Sequence, residues 1–368
     1  MSGRILYIDN LRVFCIIIVV LIHTAVTYSG IGSWYYNEPI SMSTAEKLFF
    51  LLFQSHAQAF SMSLFFFISG YFIPASLERK GTGNFIRDRL IRLGIPVIIY
   101  IFIIHPICVK LAYPQVNVVN FITNGIKHVE FIGWTGPLWF ALTLLIFSIL
   151  FALVQKHLPK ATITLSVSTT GIIALIVLIT ILAFCIRLVA PIGTSFANLQ
   201  FCYFAAYIVM FYLGTQASKN KILEKMTLPF GKRWLYIAFG IGIPVWVLTM
   251  FAGKILEGKL LIVGGWNGPS FLYAFWESLF CVTFIAALFG ISGAKFNFQH
   301  ALMKFLSENT FAVYVFHAPV LIGISVLTKG IHISALPKFF IIAFLTIVAT
   351  FMVAWCIRKI PWIGKIFN

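Results

Sequence analysis

Residues 9–26 read DNLRVFCIIIVVLIHTAV, an apolar run with an arginine near its start and a histidine well inside it. A run of this length crosses the roughly 30 Å hydrocarbon core of a membrane as one α-helix. Arg12 begins the run, and His23 follows eleven residues later. Eleven residues turn an α-helix by about three full turns, so both side chains lie on one stripe, about 16 Å apart.

Similar apolar runs recur along the whole chain of 368 residues, which is 60% hydrophobic and only 10% charged. Soluble domains are about one quarter charged, so the composition predicts an all-α, polytopic membrane bundle that forms one domain over residues 1–368. The opening MSGRILYIDNLR lacks a small-residue cleavage site, and no signal peptide is expected. About ten spans are predicted, at residues 13–30, 48–74, 93–113, 136–155, 164–188, 199–217, 234–253, 270–291, 309–328 and 337–357.

The net charge of +17 is divided unevenly between the two sides of these spans. In a soluble protein it would suggest a nucleic-acid partner, but in membrane proteins Lys and Arg accumulate in cytoplasmic loops. The outer side holds only eight of the 27 Lys and Arg residues and the inner side the other 19, so both termini are predicted to be cytoplasmic. The eight outer residues are Lys47, Lys110, Lys127, Arg187, Lys254, Lys259, Lys329 and Lys338.

Five ionisable residues inside predicted spans stand out, because such residues are costly in a membrane and usually face a bundle interior or a cavity. They are His23, His56, His105, His317 and Glu277. Each lies about 10–18 Å from an end of its span, so all five fit one central layer. Glu277 is the only acid in a predicted span, and we expect it to partner a histidine or a substrate. The alternative for each histidine is a hydrogen bond to a neighbouring helix.

The second span, FQSHAQAFSMSLFFFISGYF, is polar on two faces. Gln54 and Gln58 follow helical spacing on one face and His56 lies roughly opposite, which indicates a span inside the bundle, beside a cavity. The span ends at Ser69 and Gly70, where a glycine permits close packing of another helix or close approach of a ligand to the backbone. The sequence leaves both alternatives open.

The inner loop that follows, LERKGTGNFIRDRLIRLGIP, contains Arg79, Lys80, Arg87, Arg89 and Arg92. Arg89 and Arg92 are one helical turn apart, so their guanidinium groups can converge on one phosphate. The alternatives are a topology signal or contact with lipid headgroups.

Aromatic residues occupy the predicted outer loops, among them Trp34 and Tyr35 in GSWYYNEP and Trp266 in GGWNGPS. Such residues form either an aromatic belt at the membrane interface or a surface that stacks on sugar rings.

These motifs, in this order, resemble the acyltransferase-3 family of integral membrane O-acyltransferases over nearly the whole chain. The Arg and His of RVFCIIIVVLIH, the second-span FFFISGYF and the Arg-x-x-Arg of RLIR are similar to that family's motifs. GPLWFALTLL and YVFHAPV resemble two further family elements in later spans. The chain resembles the stand-alone members, which lack a fused extracellular hydrolase domain.

The resemblance implies a bacterial inner-membrane enzyme that uses cytoplasmic acyl-CoA to acylate hydroxyl groups of an extracytoplasmic carbohydrate. Acetyl-CoA or succinyl-CoA would be the co-substrate, with no permanently bound cofactor, no metal and no nucleic-acid partner. His23 would act as the general base, because imidazole titrates near neutrality, or as a transient nucleophile. The catalytic residues would be His23, Glu277 and Arg12. The acyl-CoA-binding residues would be Arg12, Arg87, Arg89, Arg92, Ser69 and Gly70. The acceptor-binding residues would be Trp34, His56, Trp139, Tyr314 and His317.

A secondary transporter, or a translocase for a lipid-linked saccharide or another polar solute, is the alternative function. Transporters also carry polar groups near the membrane midplane. The sequence shows no convincing internal repeat, and its densest basic cluster lies on the predicted cytoplasmic face, which favours the acyltransferase. A covalent acyl product on a carbohydrate would distinguish the two.

Overall fold

The computed structural model of the protein describes residues 5–38, 40–155 and 167–367, and these stretches are helical without a β-strand. This confirms the predicted all-α membrane fold. Arg4, Lys156 and Lys160, three of the predicted inner charges, lie outside the described residues. So do positions 164–166, the predicted start of the fifth span.

The described residues form fifteen α-helices, two π-helical turns and four 3₁₀ turns. The α-helices are α1 (Leu6–Ser29), α2 (Thr44–Arg89), α3 (Ile95–Ile99), α4 (His105–Ala112), α5 (Val118–Lys127), α6 (Trp139–Val154), α7 (Thr169–Val189), α8 (Phe204–Lys219), α9 (Ile222–Lys225), α10 (Leu228–Gly240), α11 (Gly242–Ala252), α12 (Gly268–Lys295), α13 (Ala301–Leu327), α14 (Ala335–Arg358) and α15 (Pro361–Phe367). Two π-helical turns, Leu90–Gly94 and Tyr100–Ile104, lie between α2 and α4. Short 3₁₀ turns occupy Glu130–Gly133, Gly136–Leu138, Phe201–Tyr203 and Ile255–Glu257.

Eight helical stretches among the described residues are long and apolar enough to cross a membrane, against ten predicted spans. The difference arises in two places. Thr44–Ala112 is one helical stretch that contains the second and third predicted spans, broken at Gly81, where φ is 72° and ψ is 162°. Glycine adopts this left-handed φ without strain. The helix α8, at the sixth predicted span, has only 16 residues.

The chain divides into two compact units, of which unit 1 contains Met1–Leu11, Gln58–Phe85 and Leu150–Phe298. Its most buried helix is α12, which packs against α7, α10 and α11. Small side chains line these contacts: Ala183, Ala205 and Ala274 form one cluster, and Ala286 and Ala287 belong to another. In a membrane, small residues let helices approach closely and gain van der Waals packing.

Gly70 and Gly214 allow a close crossing of α2 and α8 within unit 1. A Cβ atom on Gly70 would overlap the carbonyl oxygen of Phe211, and one on Gly214 would overlap that of Phe67. Helix backbone fills the space beside Gly70, and its role in donor binding stays a prediction. The structure shows the close helix packing that the sequence leaves open at Gly70. Ser69 is half-buried, and its role in donor binding stays a prediction.

We expect Gly70→Ala to lower the free energy of unfolding by about 1–3 kcal/mol, because the added methyl group forces two backbones apart. Gly83→Ala, on the same helix, is the matched control, since a Cβ atom there meets nothing within 4 Å. Denaturant titration in detergent, followed by tryptophan fluorescence, measures both variants. Equal stability of the two would contradict the close crossing.

Unit 2 contains Arg12–Ala57, Ile86–Ile149 and Gln299–Asn368. Its core is built from α1, the start of α2, α13 and α14, with Tyr28, Phe50, Leu321 and Phe339 buried together. The helices α13 and α14 pack along each other. This core holds the middle of α1 beside α13, and the candidate site lies there.

Candidate active site

His23 lies in a stack of aromatic rings within unit 2. The centroid of its ring is 3.9 Å from that of Trp34, with 20° between the ring planes. It is 5.2 Å from the centroid of His317 on α13, with 24° between the planes. We call His23, Trp34 and His317 the histidine stack. His317 is fully buried, whereas His23 and Trp34 are half-buried.

Two polar atoms of the histidine stack are buried without a hydrogen-bond partner among the described residues: Nε2 of His317 and Nε1 of Trp34. Nδ1 of His317 lies 2.8 Å from the carbonyl oxygen of Tyr314. A carbonyl oxygen only accepts, so the neutral ring carries its proton on Nδ1 and presents a lone pair at Nε2. Buried polar atoms are nearly always satisfied, and hydroxyl groups of a bound ligand would supply the missing partners.

The turn after α1 brings Trp34 onto His23. Gly30 and Gly32 have φ values of 66° and 108°, which are strained for residues other than glycine. The N–H of Gly30 donates to the carbonyl oxygen of Val26, 3.0 Å away, which is a common way to end a helix. The chain thereby folds back along α1, and Trp34 contacts His23 inside that helix.

Tyr35 connects a further histidine to this region. Its hydroxyl lies 2.7 Å from Nδ1 of His105 and 3.2 Å from the hydroxyl of Tyr100. The π-helical turn makes this possible, because the N–H of His105 donates to the carbonyl oxygen of Tyr100, five residues earlier. In an α-helix the two side chains would be about 140° apart. Burial raises the pKa of the Tyr35 hydroxyl, which therefore keeps its proton for hydrogen bonding.

Tyr314 and Trp139, two predicted acceptor-binding residues, lie on neighbouring parts of unit 2. The Tyr314 ring is 6.4 Å from that of His317, and its hydroxyl donates to the carbonyl oxygen of Pro137. Pro137 belongs to the 3₁₀ turn immediately before Trp139, the first residue of α6. The structure therefore brings Trp34, His317 and Tyr314 together with His23, and it anchors Tyr314 to the turn before Trp139.

His56 and Trp266 have contacts of a different kind. Nδ1 of His56 lies 2.8 Å from the carbonyl oxygen of Leu52, in its own helix. Trp266, in unit 1, is 84% exposed, with its ring 5.5 Å from that of Phe184. Acceptor binding by His56 stays a prediction.

Arg12, Arg89 and Arg92 form a basic group within unit 2, which we call the arginine cluster. Arg89 interacts electrostatically with both other arginines and with Asp88. Arg12 and Arg89 are half-buried, whereas Arg92 and the nearby Arg87 are exposed. The guanidinium groups repel one another, and phosphate oxygens bound beside them would add to the compensation that Asp88 provides. The cluster is therefore suited to phosphate groups.

Glu277 forms an ion pair with Arg187 in unit 1, so the prediction that Glu277 partners a histidine is wrong. The alternative that it contacts a substrate, and its catalytic role, stay predictions. Nη2 of Arg187 donates to Oε2 of Glu277 at 2.5 Å, and both side chains are buried. Arg187 is not the outer-loop charge that the sequence predicts, because it lies within α7. Its guanidinium carbon is 5.6 Å from the ring centroid of Tyr203 and 5.4 Å from that of Tyr273. Arg187 thus balances the charge of Glu277.

Sequence reasoning misses three side chains of unit 2. Tyr100 gives no signal, because a π-helical turn is not visible in the sequence. Trp134 stacks on His105 with 5.2 Å between the ring centroids and 8° between the planes. Lys338 is not an outer-loop charge but is buried and paired with Glu38 at 2.5 Å. Its position inside the tenth predicted span is the signal, since a charge there needs a partner.

A family model described as an acyltransferase domain matches residues 5–358. The glucans biosynthesis protein C of Salmonella typhi is 28% identical over 149 residues, which cover 39% of this chain and 37% of that protein. The protein of the same name from Salmonella gallinarum is 26% identical over 163 residues, 43% of this chain and 41% of that protein. The matched part is thus under half the length of these relatives. No solved structure matches the chain.

The fold and the site define an all-helical, multi-pass membrane protein with polar side chains gathered inside its spans. Since the family match extends over nearly the whole chain, the protein belongs to the acyltransferase-3 family. The resemblance carried by the sequence motifs is thereby confirmed.

Proposed function

We propose that the protein is a membrane O-acyltransferase that moves an acyl group from cytoplasmic acyl-CoA to a hydroxyl group of an extracytoplasmic carbohydrate. The membrane is the inner membrane of a bacterium. One observation carries the proposal: within unit 2, α1 contributes Arg12 to the arginine cluster and His23 to the histidine stack. A site suited to phosphate and an imidazole thus lie about 16 Å apart on a single helix.

Acyl-CoA, with an acetyl or succinyl group, is the donor. Its phosphates bind the arginine cluster, where guanidinium groups offer paired N–H donors to phosphate oxygens. Arg87 adds positive charge at the exposed edge. An extended pantetheine arm covers the distance of about 16 Å along α1 and brings the thioester to His23.

His23 acts as the general base of the transfer. Its imidazole removes the proton from the acceptor hydroxyl while the hydroxyl oxygen attacks the thioester carbonyl. A C–O bond forms, the C–S bond breaks, and the leaving thiolate takes the proton from the imidazolium. The products are the sugar ester and free CoA. A transient acyl group on His23 would give the same products.

The acceptor binds beside the histidine stack. Trp34 and Tyr314 supply flat apolar ring faces for a sugar, and Nε2 of His317 and Nε1 of Trp34 are free to bond its hydroxyl groups. The name of the Salmonella proteins, glucans biosynthesis protein C, refers to a carbohydrate and supports this choice of acceptor.

Transfer of a labelled acyl group tests the proposed function. Purified protein in detergent is incubated with radiolabelled acetyl-CoA or succinyl-CoA and a glucan oligosaccharide. We expect an ester on the carbohydrate that mild base releases. Movement of a lipid-linked saccharide across vesicles without any covalent product would instead identify a translocase.

We expect the double variant Arg89→Ala/Arg92→Ala to raise the KM for acyl-CoA at least tenfold and to leave the KM for the acceptor within twofold. The contact is with phosphate charge, so added salt should reduce the difference from wild type. Arg79→Ala is the matched control, because Arg79 is exposed on the same basic segment and outside the cluster. If isothermal titration showed unchanged CoA affinity in the double variant, Arg89 and Arg92 would not bind the CoA phosphates, and the basic segment would serve only as a topology signal.

A further inference from the structure

The segment that carries Trp34, residues 30–38, ends in a buried ion pair within unit 2. Nζ of Lys338 lies 2.5 Å from Oε1 of Glu38, and the two side chains are 1% and 9% exposed. Glu38 belongs to the loop after α1, whereas Lys338 lies in the first turn of α14. The pair therefore connects the end of the Trp34 segment to the helix core of unit 2.

Lys338 uses every donor that it has. Besides Glu38, its Nζ donates to the carbonyl oxygen of Thr328 at 3.0 Å and to that of Ile331 at 2.8 Å. Three donations require the ammonium form, since only that form carries three N–H groups. The charged amine is thus held in one position by three acceptors, and it holds the Glu38 carboxylate in turn.

Glu38 is also attached to α1 near His23. Its N–H donates to the carbonyl oxygen of Thr27 at 2.9 Å. The hydroxyl of Thr27 donates to the carbonyl oxygen of His23 at 3.0 Å. With Gly30 closing the other end of the segment, residues 30–38 are restrained at both ends, and Trp34 lies between them.

Protein stability alone does not explain the buried ion pair of Lys338 and Glu38. Two well-packed apolar side chains usually stabilise a buried position as well as an ion pair does, because both charges lose their hydration. A directed ion pair adds a defined position for the groups that it joins. Here the group that gains a defined position is the ring that covers His23.

We propose that Lys338 and Glu38 are positioning residues: their ion pair fixes residues 30–38 so that Trp34 stays stacked on His23 and holds the acceptor sugar against the imidazole. The claim that Trp34 holds the acceptor rests on the proposed function, whereas the claim that the ion pair restrains residues 30–38 does not.

Hydrogen–deuterium exchange of the full-length protein in detergent measures the restraint without any assay of catalysis. We compare Lys338→Met, which leaves a buried carboxylate, with Lys338→Met/Glu38→Gln, which removes both charges and therefore avoids that penalty. The matched control is Glu257→Gln, because Glu257 and Lys259 form an exposed pair at 3.9 Å. Acceptor and donor KM values are measured on the same samples.

If the ion pair restrains this segment, hydrogen–deuterium exchange at residues 33–38 should be at least tenfold faster in both Lys338 variants. Exchange in the helices should remain that of the wild type. The acceptor KM should rise at least tenfold and the acyl-CoA KM should stay within twofold. Wild-type exchange at residues 33–38 in the folded double variant would overturn the proposal, as would faster exchange with an unchanged acceptor KM. Faster local exchange in a protein whose wild type transfers no acyl group would support the restraint and refute the proposed function instead.

Discussion

His23→Ala should slow acyl transfer several thousandfold while the protein still inserts into the membrane and purifies normally. A positioned general base typically accelerates a reaction by about 10²–10⁴-fold. A loss of about 5 kcal/mol from the stabilisation of the transition state corresponds to several thousandfold. His23 is also half-buried, so a smaller side chain there leaves most of the core of unit 2 intact.

His332→Ala is the matched control for this experiment, because His332 is exposed in the loop between α13 and α14. Its rate should equal that of the wild type. Initial rates of labelled ester formation at saturating acyl-CoA measure both variants. A His23→Ala protein that retained more than a tenth of wild-type turnover would remove His23 from the mechanism.

The second large effect is on stability and concerns the buried Arg187–Glu277 pair. Arg187→Met should lower the free energy of unfolding by about 3–5 kcal/mol, because it leaves a buried carboxylate without its counter-charge. The double variant Arg187→Met/Glu277→Gln removes both charges and should regain most of this loss. Denaturant titration in detergent measures the three proteins.

Glu257→Gln is the control for this series, since that carboxylate is 61% exposed and its pair with Lys259 contributes little. Glu277→Gln should also lower stability, but the pH profile of kcat/KM should stay in place because the partner of Glu277 is Arg187. A shifted profile with unchanged stability would restore Glu277 as the partner of a histidine.

Hydrophobic run length and helical periodicity predict most of the fold. The run that begins at Arg12 lies in α1, and most of the other predicted spans correspond to long apolar helices. Run length does not locate breaks in the backbone. The break at Gly81 and the π-helical turn before His105 are backbone conformations that composition does not reveal.

The candidate site is predictable along each helix but not between helices. Spacing alone puts Arg12 and His23 on one stripe of α1. Which side chains meet His23 depends on how helices pack and where loops fold back. The sequence singles out Trp34 by its aromatic outer loop and His317 by its depth in a span, and the family resemblance adds acceptor binding. It gives no hint that their rings stack.

The partners of buried charged residues are also not predictable from the sequence. Counting Lys and Arg by side treats Arg187 and Lys338 as outer-loop charges, yet both are buried in ion pairs. Their partners, Glu277 and Glu38, are 90 and 300 positions away in the chain. Only the packed structure brings such distant residues together, so sequence spacing carries no information about the pairing.

Transfer across a sealed membrane tests the central claim most directly. The protein is reconstituted in one orientation, with labelled acyl-CoA only on the side of the arginine cluster and the glucan oligosaccharide only on the opposite side. The proposed function predicts labelled ester in the acceptor compartment, and none when the two substrates are exchanged between the sides. Ester that forms only when both substrates share one side would contradict it.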